Sequence, residues 1–399
     1  MGLGRVCGWI TEAARGRRKR KLRRLLDASA AETDTSVSTC LSSTENLSAD
    51  GLNSPQINGK WERKRVSKDD FELLRCVGRG SYGKVLLVQK KDSDVLYAMK
   101  ILKKALVTRR NQEEHTWSER LILQYNSHPF LVGLRYAFQT TTKLYLITDF
   151  CSGGELFYHL RQRRGFTERE SQFYCCEILL GLEFLHGQSF LYRDLKPENI
   201  LLDADGHLRL ADFGLSKMHI TPNDTTETFC GTAEYLAPEI MMQMPYSFPV
   251  DWWALGALAF EMLEGRPAFY HANRKVMCDL IVRGEFHFRR RLSKAAEQLV
   301  SGLLVVNPKK RLSTAAAVKS MSFFKGVDWN KVLAKEVKPA LIPNVGDPRE
   351  VRNFDPTFTT EPVSHENCQS PVALGFIGAE IEKKAAWKDF SYSQSPLVQ

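Results

Sequence analysis

"YRDLKPEN", residues 192–199, sets an arginine, a lysine, two acids and an asparagine immediately ahead of the apolar run "ILL". Polar groups packed that densely beside a run that reads as a buried strand are held for chemistry rather than for solvation. Asp194 can accept the proton of an incoming hydroxyl, Lys196 can neutralise charge on a moving phosphoryl group, and Asn199 can hold a metal ion through its amide oxygen. "ADFG" at 211–214 follows after a strand-sized interval. It places Asp212 to bridge magnesium and nucleotide phosphates, with Gly214 giving the backbone freedom to turn. Two oxygen ligands completed by phosphates are what magnesium usually accepts.

Upstream, "GRGSYGKV" at 78–85 supplies Gly78, Gly80 and Gly83 between two strand-like runs, so that backbone amides can approach phosphate oxygens. By itself it reads equally as a Gly-rich hairpin, and a dinucleotide fingerprint is disfavoured because a strand rather than a helix follows. "YAMK" then puts Lys100 on an otherwise apolar strand, where an unpaired ammonium would be costly. Glu119, in the helical segment "HTWSERLIL", can supply the countercharge, although alone it reads as a surface helix acid. Downstream, "APE" at 237–239 closes a polar loop.

Composition bounds these readings. A chain of 399 residues with 43% hydrophobic and 26% charged residues is ordinary globular material, large enough for a sizeable core. The longest membrane candidate, "ALGALAFEML", is about half of the roughly 20 apolar residues a span requires, so no transmembrane helix is expected. Nine scattered cysteines with no CxxC pair argue against a disulfide framework and a zinc site, and for a reducing compartment. No secretory signal is expected.

Four zones follow along the chain. Residues 1–26 are a basic head, in which nine Lys/Arg face the single acid Glu12 and account for most of the net charge of +10. Residues 27–70 hold many Ser, Thr, Asn and Asp and few large apolar residues, too little to offset ordering entropy, and read as a disordered linker. From Phe71, "FELLRCVGRG", "KVLLVQKK", "VLYAMKILKK" and "KLYLITDF" read as strands of a small sheet, interrupted by one helix around 111–125. Beyond Ser152 helical spacing takes over in "ERESQFYCCEILLGLEFLHGQ", "FPVDWWALGALAFEMLEG", "RKVMCDLIVRG" and "KAAEQLVSGLLVV". The last 75 residues lose that regularity but keep aromatics, which suits an extended strap over a domain surface.

These ordered motifs resemble the signature of the protein kinases over about residues 71–324. Tyr192 in place of the commoner His, "GGELF" at 153–157, "FCGTAEYLAPE" at 229–239 and the aromatic tail resemble the AGC group. "IPNVGDPREVRNFDPTFTTEPV" at 342–363 looks most like the serum- and glucocorticoid-induced kinases, with protein kinase B and the ribosomal S6 kinases close behind.

The resemblance implies an α+β, two-lobe fold with a β-rich N-lobe, a larger helical C-lobe and a C-terminal regulatory tail over 325–399. It implies an active Ser/Thr kinase using ATP and Mg. Lys100, Glu119, Asp194 and Lys196 would be catalytic, and Asn199 and Asp212 would hold the metal. The nucleotide would meet Gly78, Gly80, Ser81, Gly83, Val85, Ala98, Lys100, Asp149, Cys151, Glu155 and Leu201. Thr228, Ser370 and Ser391 match phosphoacceptors of the activation loop, turn motif and hydrophobic motif. Phosphate on Thr228, added by an upstream kinase, would be met by Arg193 and His115, and Trp387 and Phe390 would dock in a groove of the small lobe. Glu155, Glu198 and Glu261 match positions that meet arginines preceding the phosphoacceptor, which implies basic protein substrates. Asp251 would orient catalytic-loop amides, and Glu239 would pair with Arg311. Two residues depart from the group: Ala233 stands where a Pro is usual, and Thr148 replaces Met or Leu at the back of the adenine pocket.

The head "RGRRKRKLRRLL" has three readings: nuclear import through a receptor, attraction to anionic lipid headgroups, and a solvated charge run. The expected location is cytoplasmic, with nuclear or peripheral membrane association through that head. No specific nucleic acid is expected, because the head lacks aromatics interleaved with its arginines. The opposing class, a kinase-shaped binding module, is disfavoured by intact Lys100, Asp194, Asn199 and Asp212.

Overall fold

The computed structural model describes residues 66–80, 83–221, 224–363 and 387–394. Ser81, Ser370, the basic head and the linker as far as residue 65 lie outside the described residues.

The apolar runs that open at Phe71 pair as antiparallel strands: β1 Phe71–Gly80, β2 Gly83–Lys90, β3 Leu96–Lys103, β4 Leu134–Gln139 and β5 Lys143–Asp149. With the two-residue β9, Tyr392–Ser393, from the far end of the chain, they form a sheet in the order β1-β2-β3-β5-β4-β9. Register puts Lys100 opposite Val85 on one side and Leu146 on the other, on a central strand. Gly83 is demanded by packing, since a Cβ there would fall 1.6 Å from the Ile101 carbonyl oxygen.

Two helices, α1 Lys104–Arg109 and α2 Glu113–Tyr125, follow β3 where the sequence predicts one around 111–125. "KALVTR" contains neither Gly nor Pro and opens with good helix formers, so the chain turns helical directly at the strand end. The six residues of α1 are too few to show a helical period in the sequence.

The larger lobe opens with β6 Gly154–Glu155 and α3 Leu156–Arg163 and continues through α4 Glu168–Gly187, β7 Ile200–Leu202 and β8 Leu208–Leu210. It goes on through α5 Pro238–Met241, α6 Pro249–Glu264, α7 Arg274–Arg283 and α8 Lys294–Leu303, with shorter helical turns beyond them. A capping box starts α4: the Thr167 hydroxyl accepts from the Glu170 amide while the Glu170 carboxylate accepts from the Thr167 amide at 2.8 Å. α6 is buried from Val250 to Glu264, apolar nearly all round, and packs against α4 and α8 as the central helix of the lobe. A buried bidentate pair, Arg311 to Glu239 at 2.8 and 2.9 Å, ties α5 to the chain beyond α8.

The chain then runs back across the junction of the lobes. Phe354 stacks on Phe150 with ring centroids 5.7 Å apart. The Asn353 carbonyl lies so close to Gly154 (φ 74°) that a Cβ there would sit 2.2 Å from its oxygen. Glu361 reaches the small sheet, accepting from Lys84 and Arg79. Among the described residues no helix is long and apolar enough to cross a membrane.

Candidate active site

The loop 192–199 is held in a conformation the backbone does not favour. Arg193 has φ 70° and Asp212, at the other side of the cleft, φ 53°. Left-handed residues of this kind cost about 1–3 kcal/mol each and persist only where their surroundings over-determine them. Here Asp251 of α6 does so: its carboxylate accepts from the Tyr192 and Arg193 amides at 2.9 and 2.8 Å and lies 2.8 Å from His186 Nε2.

Asp194 is the hub of the loop. Its Oδ2 receives Lys196 Nζ at 2.9 Å and Asn199 Nδ2 at 2.7 Å, and its Oδ1 receives the Thr232 hydroxyl at 3.3 Å. Lys196 also donates to Thr232 at 2.9 Å. Asn199 Nδ2 makes a second bond, 2.8 Å to the Asp194 carbonyl, so the donor end of the amide is spent inside the loop and its oxygen is the end left for a cation.

Across the cleft, Lys100 donates to Glu119 at 2.5 Å and to Asp212 at 2.9 Å. Burial works against the Lys100 charge, but Asp212 and Glu119 outweigh it and hold the ammonium above its ordinary range. Asp212, pulled down chiefly by Lys100, stays ionised. Glu119 is buried, not a surface acid. Among the described residues no group of three or more His, Cys, Asp or Glu gathers around a metal position. The donor set of Asn199 and ionised Asp212 therefore fits a hard cation that takes its remaining ligands from phosphate and water.

The residues expected around a nucleotide lie on both lobes. Gly78 faces Val85, and Gly80 faces Gly83, across the β1–β2 hairpin. Ala98 pairs with Thr148 on β5, Asp149 ends that strand, and Cys151 follows it. Burial pushes the Cys151 thiol up to about 12, so that side chain is an inert apolar surface. Leu201 on β7 pairs with Glu155 on β6.

Glu155, Glu198 and Glu261 are all raised above the ordinary carboxylate range. Burial, and then the nearby Glu198 and Asp355, push Glu155 up to about 7. Burial also pushes Glu261 up to about 7, against the hydroxyl of Tyr235 that donates to it, and Glu198 and Glu234 add to the rise. Glu198 is raised by burial as well, and its Oε2 is buried with no hydrogen-bond partner among the described residues. Carboxyls held this way gain most from a guanidinium brought in from outside.

Thr228 is exposed, and its carbonyl accepts from the Tyr246 hydroxyl at 2.7 Å, which in turn lies 3.2 Å from Arg193 Nη1. His115 Nδ1 lies 2.6 Å from Gln112 Oε1. At the other end of the small lobe, Trp387 and Phe390 are buried against Trp117 of α2, and Ser391 beside them is exposed. Arg120 lies over the rings of Trp117 and Tyr392 at 5.6 and 5.7 Å.

Sequence reading missed Thr232, Tyr235 and Arg135, which holds Asp149 at 2.6 Å. Thr232 and Tyr235 sit inside the quoted "FCGTAEYLAPE", where the proximity of Thr232 to a carboxylate 38 residues earlier leaves no local trace.

A family model described as "Protein kinase domain" matches residues 71–324. The serine/threonine-protein kinase Sgk1 of Danio rerio is 45% identical over 345 residues, which cover 85% of this chain and 80% of that protein. Sgk1 of Homo sapiens is 44% identical over 345 residues with the same coverage, and Sgk1 of Xenopus tropicalis is 43% identical over 354 residues, covering 88% and 85%.

Proposed function

The chain belongs to the protein kinase family, as an ATP-dependent serine/threonine kinase of the AGC group similar to Sgk1, and from that premise we propose that it phosphorylates Ser or Thr preceded by arginines. The observation that carries the proposal is the acid group Glu155, Glu198 and Glu261. Two of its members are pushed up to about 7, and the third has a buried carboxylate oxygen with no hydrogen-bond partner among the described residues.

When bound, ATP with magnesium supplies the γ-phosphoryl group and neutralises its charge. Asn199 and Asp212 would hold the cation, and the glycines of the β1–β2 hairpin would lie against the phosphates. Asp194 orients the substrate hydroxyl and takes its proton. Lys196, already bound to Asp194 and Thr232, stands where it can stabilise negative charge as the hydroxyl oxygen attacks. Lys100, held by Glu119 and Asp212, would offer its ammonium to the phosphates. Peptide arginines pair with Glu155, Glu198 and Glu261 and so set the register of the phosphoacceptor.

Regulation follows the same layout. Residues 71–324 carry catalysis and 325–399 act as a regulatory strap. Phosphate on Thr228, placed by an upstream kinase, would engage Arg193 beyond Tyr246. Phosphate on Ser391 would reinforce the seat of Trp387 and Phe390, and Ser370 is a third acceptor. The head at 1–26 addresses the enzyme to anionic membrane or to an import receptor, and salt-sensitive binding to anionic vesicles separates the two.

A positional peptide array on the purified enzyme tests the substrate reading. Strong selection for Arg three residues before the acceptor is expected, and equal rates on acidic and arginine-preceded peptides would overturn it.

A further inference from the structure

Asp149 ends β5 at the join of the two lobes, and each of its carboxylate oxygens is taken by an arginine from a different lobe. Arg135 of β4 donates Nε to Oδ1 at 2.6 Å, and Arg209 of β8 donates Nη1 to Oδ2 at 3.1 Å. The backbone that leads from β5 to Cys151 is thus braced against both sheets.

Arg135 has a second engagement. Its Nη1 donates to Gln394 Oε1 at 2.8 Å, while the Gln394 amide donates to the Arg135 carbonyl at 2.9 Å. Gln394 stands one residue beyond β9, whose register against β4 pairs Tyr136 with Ser393 and Ala137 with Tyr392. The Arg135 side chain is 42% exposed, so water competes for its guanidinium whenever the tail is not seated.

We propose that Gln394 is a positioning residue: by fixing the Arg135 fork it holds Asp149, so that seating of the tail tightens nucleotide binding at the hinge. This rests on the reading that the chain from Asp149 to Cys151 meets the nucleotide base. It is a separate lever from the contact with α2. Trp387 and Phe390 press on Trp117, in the helix that carries Glu119, whereas Gln394 presses on β4 and the hinge. The first lever acts on the competence of bound nucleotide, and the second acts on its affinity.

The test uses the full chain as wild type, Gln394→Ala, Gln394→Glu, Arg135→Ala and the double Arg135→Ala/Gln394→Ala. Mg-ATP affinity is measured by titration calorimetry, and kcat and both KM values by peptide phosphorylation. Loss of one hydrogen bond predicts that Gln394→Ala weakens ATP binding about threefold, with kcat at saturating ATP and peptide KM unchanged. Gln394→Glu, a charged acceptor for the same fork, is expected to match or exceed wild-type affinity. The double variant should bind no more weakly than Arg135→Ala, because the two residues act in series. Unchanged ATP affinity in Gln394→Ala, a fall in kcat alone, or additive losses in the double variant would overturn the proposal. If Arg135→Ala does not fold, the Ala–Glu comparison at Gln394 decides it. Wild type that binds ATP but shows no arginine preference would count against the substrate reading only.

Discussion

Trp117 of α2 and Trp387 of the tail stack with ring centroids 6.2 Å apart and planes 17° from parallel. Phe390 meets both edge-on, at 5.4 and 5.8 Å. Glu119 lies two residues beyond Trp117, about 200° round the helix, so the tail supports one face while the other presents Glu119 to Lys100. The tail therefore packs on the side of α2 away from the ion pair.

Trp387→Ala should release that support. Burial of a large aromatic is worth about 3–5 kcal/mol on truncation, enough to unseat the short segment 387–394. A fall of tenfold or more in kcat is expected, with the isolated fold intact by circular dichroism. An unaltered kcat would mean that the ion pair holds without the tail.

Glu155→Gln should impair arginine-preceded peptides selectively. Truncating one partner of a desolvated charge pair costs about 2–5 kcal/mol, so peptide KM should rise at least about tenfold, while a peptide with the arginine replaced by alanine is little affected. Steady-state kinetics on the two peptides reads the difference.

The same acids predict a pH dependence. With Glu155 and Glu261 pushed up to about 7, both are largely protonated in mildly acid solution and ionise as pH rises. KM for an arginine peptide should therefore fall between about pH 6 and about pH 8, and the alanine peptide should show a flatter profile. The sign for stability is opposite. A carboxyl whose folded pKa is raised contributes stability that is present below its unfolded pKa and is lost as pH rises through about 7. Glu155→Gln should consequently melt higher than wild type in alkaline buffer.

Arg311→Ala should be among the costliest single changes. Its removal leaves Glu239 buried and unpaired, a loss of about 3–5 kcal/mol, measurable by denaturant unfolding of the large lobe. Replacing both partners by leucine and methionine should recover much of it.

Legibility in the sequence followed distance along the chain. Asp194, Lys196 and Asn199 lie within one loop, and Lys100 and Asp212 sit in short patterned segments, so each suggests a role from its neighbours, whereas Glu119 alone reads as a surface acid and only the fold buries it against Lys100. The helix α1 is not legible, because it is only six residues long, too short to show a helical period, and no Gly or Pro marks the change from β3. Nor was the hinge brace. Gln394 and Arg135 are 259 residues apart, and a glutamine beyond a serine-rich stretch carries no pattern until β9 docks on β4. Glu198 reads as a candidate on resemblance, but only the fold reveals that one of its oxygens is buried without a hydrogen-bond partner among the described residues.

In the proposed mechanism Asp194 takes the hydroxyl proton while other groups hold the nucleotide. Single-turnover phosphorylation of an arginine-preceded peptide by Asp194→Asn, run beside calorimetric titration with Mg-ATP, tests it most directly. Near wild-type ATP affinity is expected, with transfer reduced by a factor of about 100 or more. Transfer at the wild-type rate, or loss of ATP binding together with transfer, would contradict it.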